Sequence, residues 1–584
     1  MIDGADLVRA VGAVQVAELE VGVVVVGVDV EGAVEALAGL ECPALFLPPE
    51  AVLVVALAPG IDAGLREPVA PRQQDAGERQ GGRRLATAGH GAGDLRSGGD
   101  PVGVVQAHLG QRWTGRARNS NKVGHGPGRV PPPLEKPGQR RQHGFLRMNL
   151  VQITPGAGGM YCGNCFRDNA LVAALRREGH ETLMVPLYLP MTLDEASMVR
   201  DTPTFFGGIN VFLSQKLPGH GSAPGWIRRL LDHPRLLKWA SGRAAKTRAS
   251  DVGELNLSML MGEEGRQVRE LDDLVGWLGG RGRPDAVLLS NALLVGFARR
   301  LRRGLGCPVI VFLQSEESFL DSMPEPWRAR SWETLATRGR EVDGWIAPTR
   351  WFGERMQARL GFDPGRLRVV PNGISMEGYD ALPARPERKP GSPFTLGFFA
   401  RQCPEKGMDI VVDAFIELRR DPAFRFARLK VGGGCGPSDE PFVAVQREKL
   451  RRAGLQGDAT FHPNVSRAEK VAFLASCDVV SVPGRQVEAF GLYQVEAMAA
   501  GCPVMQPTWG TYPEIVGGTG GGVLFGENTP AALARALREA LARPGELRAM
   551  GEAGRRVVRE RHTDVAMARE TVEALRPWLT SASG

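Results

Sequence analysis

The sequence predicts an α/β chain of two doubly wound domains facing each other across a cleft, each a parallel sheet covered by helices on both faces. Three observations predict it. From Met148 onward short apolar strands alternate with amphipathic helical stretches. A Pro-rich spacer, Ala381 to Pro393, interrupts the alternation, which then restarts. Each half opens on an apolar strand that runs into a glycine-containing turn and a helix, the arrangement by which α/β folds present backbone N–H groups to a phosphate ester. A chain of 584 residues is also too long for one core.

In the first half, Asn149–Thr154 is a strand, Pro155–Cys165 a glycine-rich loop, and Arg167–Glu178 a helix stopped by Gly179. Thr182–Pro186 is the next strand. Leu187–Met261 fits the alternation poorly and reads as a long insertion, helical in its second half. Strands Ala286–Ser290, Val309–Leu313, Trp345–Ala347 and Leu367–Val370 then alternate with helices Leu293–Arg303, Trp327–Val342 and Thr349–Leu360. After the spacer come strands Thr395–Ala400, Arg428–Gly432, Thr460–His462, Val479–Val482 and Val504–Pro507, with helices Gly407–Arg419, Pro441–Ala453 and Arg467–Ala475 between them. Helices from Pro530 onward, including Val565–Leu575, close the chain. The expected domains are 148–380 and 394–560, both Rossmann-like, with a helix over 561–584 crossing back to the first. Residues 1–147 differ in texture: they hold no Tyr and only two Lys, Lys122 and Lys136. Val21–Val30 reads as a strand, but Arg72 to Gly144 has little periodicity. The segment is expected to be a low-complexity, disordered extension, or upstream sequence translated from a mis-assigned start, with Met148 the true one.

A net charge of +7 reflects Arg spread along the whole chain rather than a basic patch, so no nucleic-acid partner is expected. Eight cysteines are scattered, most in apolar runs, which points to a reducing, cytoplasmic compartment. No basic leader opens the chain, and no apolar run is long enough to span a bilayer. The Arg- and Trp-containing 225–248 stretch could meet an anionic membrane surface.

The chemistry-bearing residues lie mostly in the second half. Glu488-Ala-Phe-Gly-Leu-Tyr-Gln-Val-Glu496 places two carboxylates eight apart around a glycine, on roughly one face of a helix that starts within the segment. Phe398-Phe-Ala-Arg401-Gln-Cys-Pro-Glu-Lys406-Gly407 sets two cations on a loop at the carboxyl end of a strand. A guanidinium grips a diphosphate with forked donors, while an ammonium acts as a mobile point charge. No Gly-x4-Gly-Lys-Ser/Thr occurs, so a P-loop is excluded, and the glycine spacing after Gly156 fits a dinucleotide fingerprint poorly. Cys162-Gly-Asn-Cys165 reads as a redox pair, half a zinc site or, the favoured reading, two small residues packing a loop. No metal site is expected.

Together, Glu488-x7-Glu496, Arg401-x4-Lys406-Gly407, Pro371-Asn-Gly-Ile374 and the Gly-Ala-Gly-Gly loop at 156–159 resemble the retaining GT-B glycosyltransferases of family 4, from Met148 to the C-terminus. The resemblance implies roles. Arg401 and Lys406 would neutralise the departing diphosphate of a nucleotide-sugar, a UDP- or GDP-sugar being the expected donor. Glu488 would hold donor-sugar hydroxyls and Glu496 the ribose. Backbone N–H groups of Phe490, Gly491 and Leu492 would meet the distal phosphate or sugar, and Gly158 and Gly159 would approach the diphosphate from the first domain. Family members often carry a His after the strand at Val309–Leu313; here Gln314 stands there, which can hydrogen-bond a sugar but cannot shuttle protons. Glu316 or Glu317 would be left to supply acidity. The expected reaction transfers a sugar to a hydroxyl of a glycan, lipid or small molecule, with retention and without a cofactor. The alternatives on the same fold are an epimerase, a phosphorylase, or a silent nucleotide-sugar binding module.

Overall fold

The computed structural model describes residues 147–581 except 157–161, 189–190, 201, 204, 207–248 and 386–392, together with the backbone of four short strands nearer the N-terminus. Two of these, Val14–Leu19 (β1) and Val23–Val28 (β2), pair antiparallel, so the strand expected at Val21–Val30 is one arm of a hairpin. They belong to a unit spanning Met1–Asn121, and residues from Lys122 onward form a second unit. In that second unit Arg141–Gln142 (β3) pairs with Phe145–Leu146 (β4).

The second unit holds two parallel sheets of six strands. The first comprises β5 (Asn149–Thr154), β6 (Glu181–Pro186), β7 (Ala286–Leu289), β8 (Val309–Phe312), β9 (Gly344–Ala347) and β10 (Leu367–Val369), in the spatial order β10-β9-β8-β7-β5-β6. Strands β5, β7, β8 and β9 are buried along their whole length, as strands covered by helices on both faces must be. The second sheet comprises β11 (Thr395–Phe399), β12 (Arg428–Gly433), β13 (Ala459–Pro463), β14 (Val479–Val480), β15 (Val504–Pro507) and β16 (Gly522–Phe525), ordered β13-β12-β11-β14-β15-β16. Strand order reverses between β11 and β14, and in such sheets the crevice outside the carboxyl ends at that point receives the ligand. In the first sheet the reversal falls between β5 and β7.

The helices that position the site are α1 (Gly163–Arg177), α2 (Ala249–Met261), α3 (Val268–Gly279), α4 (Ala298–Leu305) and α5 (Arg350–Leu360) in the first half. In the second they are α6 (Met408–Leu418), α7 (Glu440–Arg452), α8 (Arg467–Ala475) and α9 (Leu492–Ala499), followed by the terminal α10 (Asp564–Ser581). Most expected elements recur within a few residues; strand β16 and the helices Glu316–Asp321 and Tyr512–Thr519 were not expected, and four further differences bear on the frame of the site. Helix α3 was not expected. The helix expected over Leu293–Arg303 is a 3-10 turn over Ala292–Phe297 followed by α4. Its tight start is capped by the Asn291 side chain, which accepts from the Leu293 N–H, and Gly296 lies flat against α2, where an added Cβ would come 2.3 Å from the Met259 carbonyl. Strand β14 ends at Val480 because the Val482 N–H donates to the Gln506 side chain and Pro483 has no donor. Glu488 precedes α9 rather than sharing its face with Glu496: Gly491, at φ +82°, turns the chain and the helix begins at Leu492.

The terminal α10 packs on the first sheet. Met567, Ala568, Leu575 and Trp578 are buried with Leu150, Leu171 and Ile346, and Arg569 pairs with Glu178 at 2.8 Å. The Trp578 ring covers Gly344 so closely that a Cβ there would lie 2.2 Å from it. Gly344→Ala is therefore expected to cost about 1–3 kcal/mol by overpacking. Urea unfolding would read this, and much of the loss should be absent in a Trp578→Ala background, where the collision is removed.

Candidate functional site

Arg401, Lys406, Glu488, Phe490, Gly491, Leu492, Glu496 and Gln314 line one cleft of about 380 Å³, with walls drawn from both sheets. The loop after β11 carries Arg401 and Lys406, and the loop after β14 carries Glu488, so the two loops at the strand-order reversal converge. Gly407, at φ +73°, makes this approach possible: a Cβ there would meet the Pro483 carbonyl at 2.1 Å. Lys406 Nζ donates to Glu488 Oε1 at 2.7 Å. Arg401 is turned to the buried Asp439 at the start of α7, donating to it from Nη2 at 2.8 Å and from Nε at 3.0 Å. Phe490, Gly491 and Leu492 lead into α9; of its first-turn N–H groups that of Gln494 donates to the Gly491 carbonyl at 3.0 Å, while those of Leu492 and Tyr493 have no acceptor within the helix.

The first half clamps the loop around Glu488. Ser318 Oγ donates to the Val487 carbonyl at 2.9 Å, the Ala489 N–H donates to Ser315 Oγ at 2.7 Å, and Thr349 Oγ1 donates to the Ala489 carbonyl at 2.9 Å. In return the Glu514 carboxylate accepts from the Arg350 and Trp351 N–H groups at the start of α5, at 2.8 and 2.9 Å. The position of Glu488 thus depends on the approach of the two halves.

A second charged group crosses the cleft. Lys470 Nζ lies 2.7 Å from Glu496 Oε1 and 2.7 Å from Asp194 Oδ2, and Arg467, one helical turn earlier, pairs with Glu195. Burial works against the Lys470 charge, but Glu496, Tyr379 and Asp194 outweigh it and hold the ammonium above the ordinary lysine value. Burial pushes the Glu195 carboxyl up, against the pull of Arg467.

Beneath the cleft, where the first sheet reverses, Arg167 and Asp168 are fully buried and paired at 2.8 Å. Burial lowers the guanidinium and raises the carboxyl, each against the attraction of its partner. Arg167 Nη2 donates to the Ser290 carbonyl at 3.0 Å, and the guanidinium lies over the Phe312 ring.

Not every expected residue faces the cleft. Gln314 does, and its side-chain nitrogen finds no partner among the described residues. Glu316 is not among the cleft-lining residues: its carboxylate is turned into the protein, accepting from the Ala292 N–H at 2.7 Å and the Gln314 N–H at 2.9 Å. It thus fixes the backbone that carries Gln314. Glu317 is spent on Arg355 and Arg359. Gly158 and Gly159 lie outside the described residues, as does the 225–248 stretch. Among the described residues no cluster of His, Cys, Asp and Glu could hold a metal ion, and no helix is long and apolar enough to cross a membrane. Sequence reasoning missed Lys470, Asp194, Glu195, Arg167 and Asp439. The one available signal was Arg467 and Lys470, two cations three apart on a helix opened by a Ser466–Glu469 capping box.

Comparison with known proteins agrees with this architecture. The family model for glycosyl transferases group 1 matches residues 384–557, and that for the glycosyl transferase 4-like domain matches 169–373. A D-inositol 3-phosphate glycosyltransferase of Segniliparus rotundus is 31% identical over 219 residues, 37% of this chain and 48% of that protein. One from Nocardia farcinica is 33% identical over 218 residues, 36% of this chain and 48% of that one. The chain spans about half the length of these curated relatives. Among solved structures, sucrose-phosphate synthase of Thermosynechococcus elongatus superposes with a TM-score of 0.53 at 18% identity, covering 74% of this chain and 100% of that one. Anabaena HepE in complex with UDP does so with 0.51 at 15% identity, covering 74% and 100%. With both domain models matched in order and two facing six-stranded sheets of the GT-B kind, the chain belongs to the group 1, family 4 glycosyltransferases.

Proposed function

We propose that the protein transfers a sugar from a nucleoside diphosphate donor to an acceptor hydroxyl, with retention of the anomeric configuration. The observation that carries this reading is the meeting of Lys406, Arg401, Glu488 and Glu496 with the N-terminus of α9 in one cleft. Lys406 sits where a point charge can reach the diphosphate, and Arg401 joins it by leaving Asp439. The N–H groups at the very start of α9, from Gly491 and Leu492, add fixed donors for the distal phosphate. A nucleoside diphosphate departs readily once its charge is neutralised, so electrostatic stabilisation of the leaving group is the main catalytic term. Glu488, clamped by Ser315 and Thr349, orients the donor-sugar hydroxyls, and Glu496 binds the ribose. Gln314 holds a sugar hydroxyl through its spare amide N–H. Among the described residues none that lines the cleft is a histidine; in this reading the acceptor proton passes to the departing phosphate on the same face of the sugar. Closure of the two halves excludes water and limits donor hydrolysis.

Uridine nucleotides stand first as donors, since the structural neighbour HepE was solved with UDP. Inositol 3-phosphate stands first as an acceptor, after the activity named for the relatives. The test is a panel of UDP-, GDP- and ADP-sugars against inositol 3-phosphate, sugar phosphates and simple glycans, following nucleotide release and product anomer by NMR. Acceptor-dependent release with an unchanged anomer is expected. Release that needs no acceptor, or donor binding without turnover, would sink the transferase reading.

A further inference from the structure

We propose that Cys162 and Cys165 form a redox-active dithiol that closes to a disulfide by exchange with a small-molecule disulfide, and that closure is transmitted to the acidic segment at the cleft. Cys162 is the N-cap residue of α1, in extended conformation (φ −128°, ψ 121°), and Cys165 lies in its first turn. The Phe166 N–H donates to the Cys162 carbonyl at 3.1 Å, so that turn is closed as an α-helix. Residues three apart on such a turn have Cβ atoms about 5–6 Å apart. A disulfide needs Cβ atoms about 3.5–4.5 Å apart, so closure draws the two Cβ atoms about 1–2 Å together, a movement that the first turn of α1 must absorb.

The two thiols are unequal in the way exchange requires. Cys162 is half-buried and Cys165 is buried. A hydrogen bond from the Cys165 thiol, helped by the Cys165 and Asn164 N–H groups and opposed by burial, brings Cys162 down to about 7. The same bond, with burial, holds Cys165 protonated. Burial pushes Cys307 up to about 12, Cys403 to about 11 and Cys502 to about 12, and raises Cys435 and Cys477 as well, so Cys162 alone among the described cysteines is poised as a thiolate. The described residues offer no set of ligands to complete a metal site around the pair.

In the first step the Cys162 thiolate attacks one sulfur of R–S–S–R, the S–S bond breaks, and RS⁻ leaves. Cys165 then gives up its proton to the released thiolate and attacks the Cys162 sulfur, forming the Cys162–Cys165 bond and expelling the second RS⁻, which is protonated by solvent. The two cysteines are oxidised by two electrons and the small disulfide is reduced to two thiols.

Helix α1 carries the effect outward. Asn169 donates from Nδ2 to the Ala196 carbonyl at 3.0 Å and accepts from the Met198 N–H at 2.8 Å, anchoring the segment whose Asp194 and Glu195 reach Lys470 and Arg467. Phe166 lies beneath the Lys470 ammonium, 5.7 Å from its ring centroid.

The experiment equilibrates the full chain in mixtures of reduced and oxidised glutathione, quenches with an alkylating agent and maps peptides by mass. The Cys162–Cys165 peptide should lose two hydrogens and recover them with dithiothreitol, Cys165→Ser should accumulate glutathione on Cys162, and Cys162→Ser should react at least tenfold more slowly. A pair that stays fully alkylated in tenfold excess oxidised glutathione, or that stops at the mixed disulfide in the wild type, overturns the proposal. Hydrogen exchange reads the second half without any need for turnover: the Met198 amide should change its rate at least threefold on oxidation. An unchanged rate at 194–198 with the disulfide formed overturns the coupling.

Discussion

Lys406→Ala is expected to lower kcat about 10²–10³-fold, the usual cost of removing one electrostatic donor to a developing negative charge. The loss should fall on kcat more than on KM. In the resting cleft the ammonium is already neutralised by Glu488 at 2.7 Å, so little net charge is offered to a ground-state donor. Charge on the distal phosphate grows only as the glycosidic bond breaks, and an interaction that strengthens at that moment shows in kcat. The loop has little freedom to compensate, because Gly407 is wedged against the Pro483 carbonyl. Lys406→Arg keeps the charge but is bulkier and planar, and should recover only part of the rate. Arg401→Ala should do less harm, since Arg401 must first leave Asp439. Because Lys406 and Glu488 touch, the double variant with Glu488→Ala should fall well short of the product of the single losses. Steady-state kinetics on the best donor of the panel decides it; a rise in KM at unchanged kcat would mean that Lys406 binds ground and transition states equally and does not assist departure.

The same geometry explains what could be read from the chain and what could not. Strands such as Val309–Phe312 announce themselves because burial on both faces demands continuous apolar residues, a local property. The Arg401–Lys406–Gly407 loop was legible for a similar reason: strand, cations and helix start are contiguous. Its meeting with Glu488 was not, because it depends on β11 and β14 being neighbours, and strand order is set by the whole sheet. The helix start was misjudged through Gly491, whose left-handed turn delays α9 until Leu492 and leaves Glu488 on a loop. Glu316 shows the opposite hazard: an acid beside the cleft in sequence was drawn inward by two backbone N–H groups that nothing local signals. Asp194 and Lys470 lie far apart in the chain, and no pattern within either segment predicts their contact.

That contact sets the other large expected effect. Lys470→Met should lower the unfolding free energy by about 3–5 kcal/mol, the cost of taking one member from a buried ion group and leaving its partners uncompensated. The side chains of Lys470 and Asp194 are only 9% and 7% exposed, and Glu496 17%, so solvent does little to soften the loss. The shape of the pH dependence follows from the sign of the lysine shift. Its pKa is raised in the fold, so the stability it contributes is complete below the unfolded lysine value and is lost only as pH rises through the higher folded one. Wild type and variant should therefore differ by a near-constant amount between about pH 7 and 9. Adding Asp194→Asn to Lys470→Met removes one of the stranded charges and should recover part of the loss, whereas Asp194→Asn alone leaves Lys470 on Glu496 and should cost less than Lys470→Met. Urea unfolding of the three variants measures the coupling, and additive losses would show that the triad is not an energetic unit. Donor affinity separates stability from function: Glu496 is the proposed ribose ligand, and freeing Lys470 from Asp194 loosens the only direct charge bridge from that ligand to the first half that the described residues contain. Asp194→Asn should then shift the donor KM while the fold stands, an outcome that a purely structural triad would not produce.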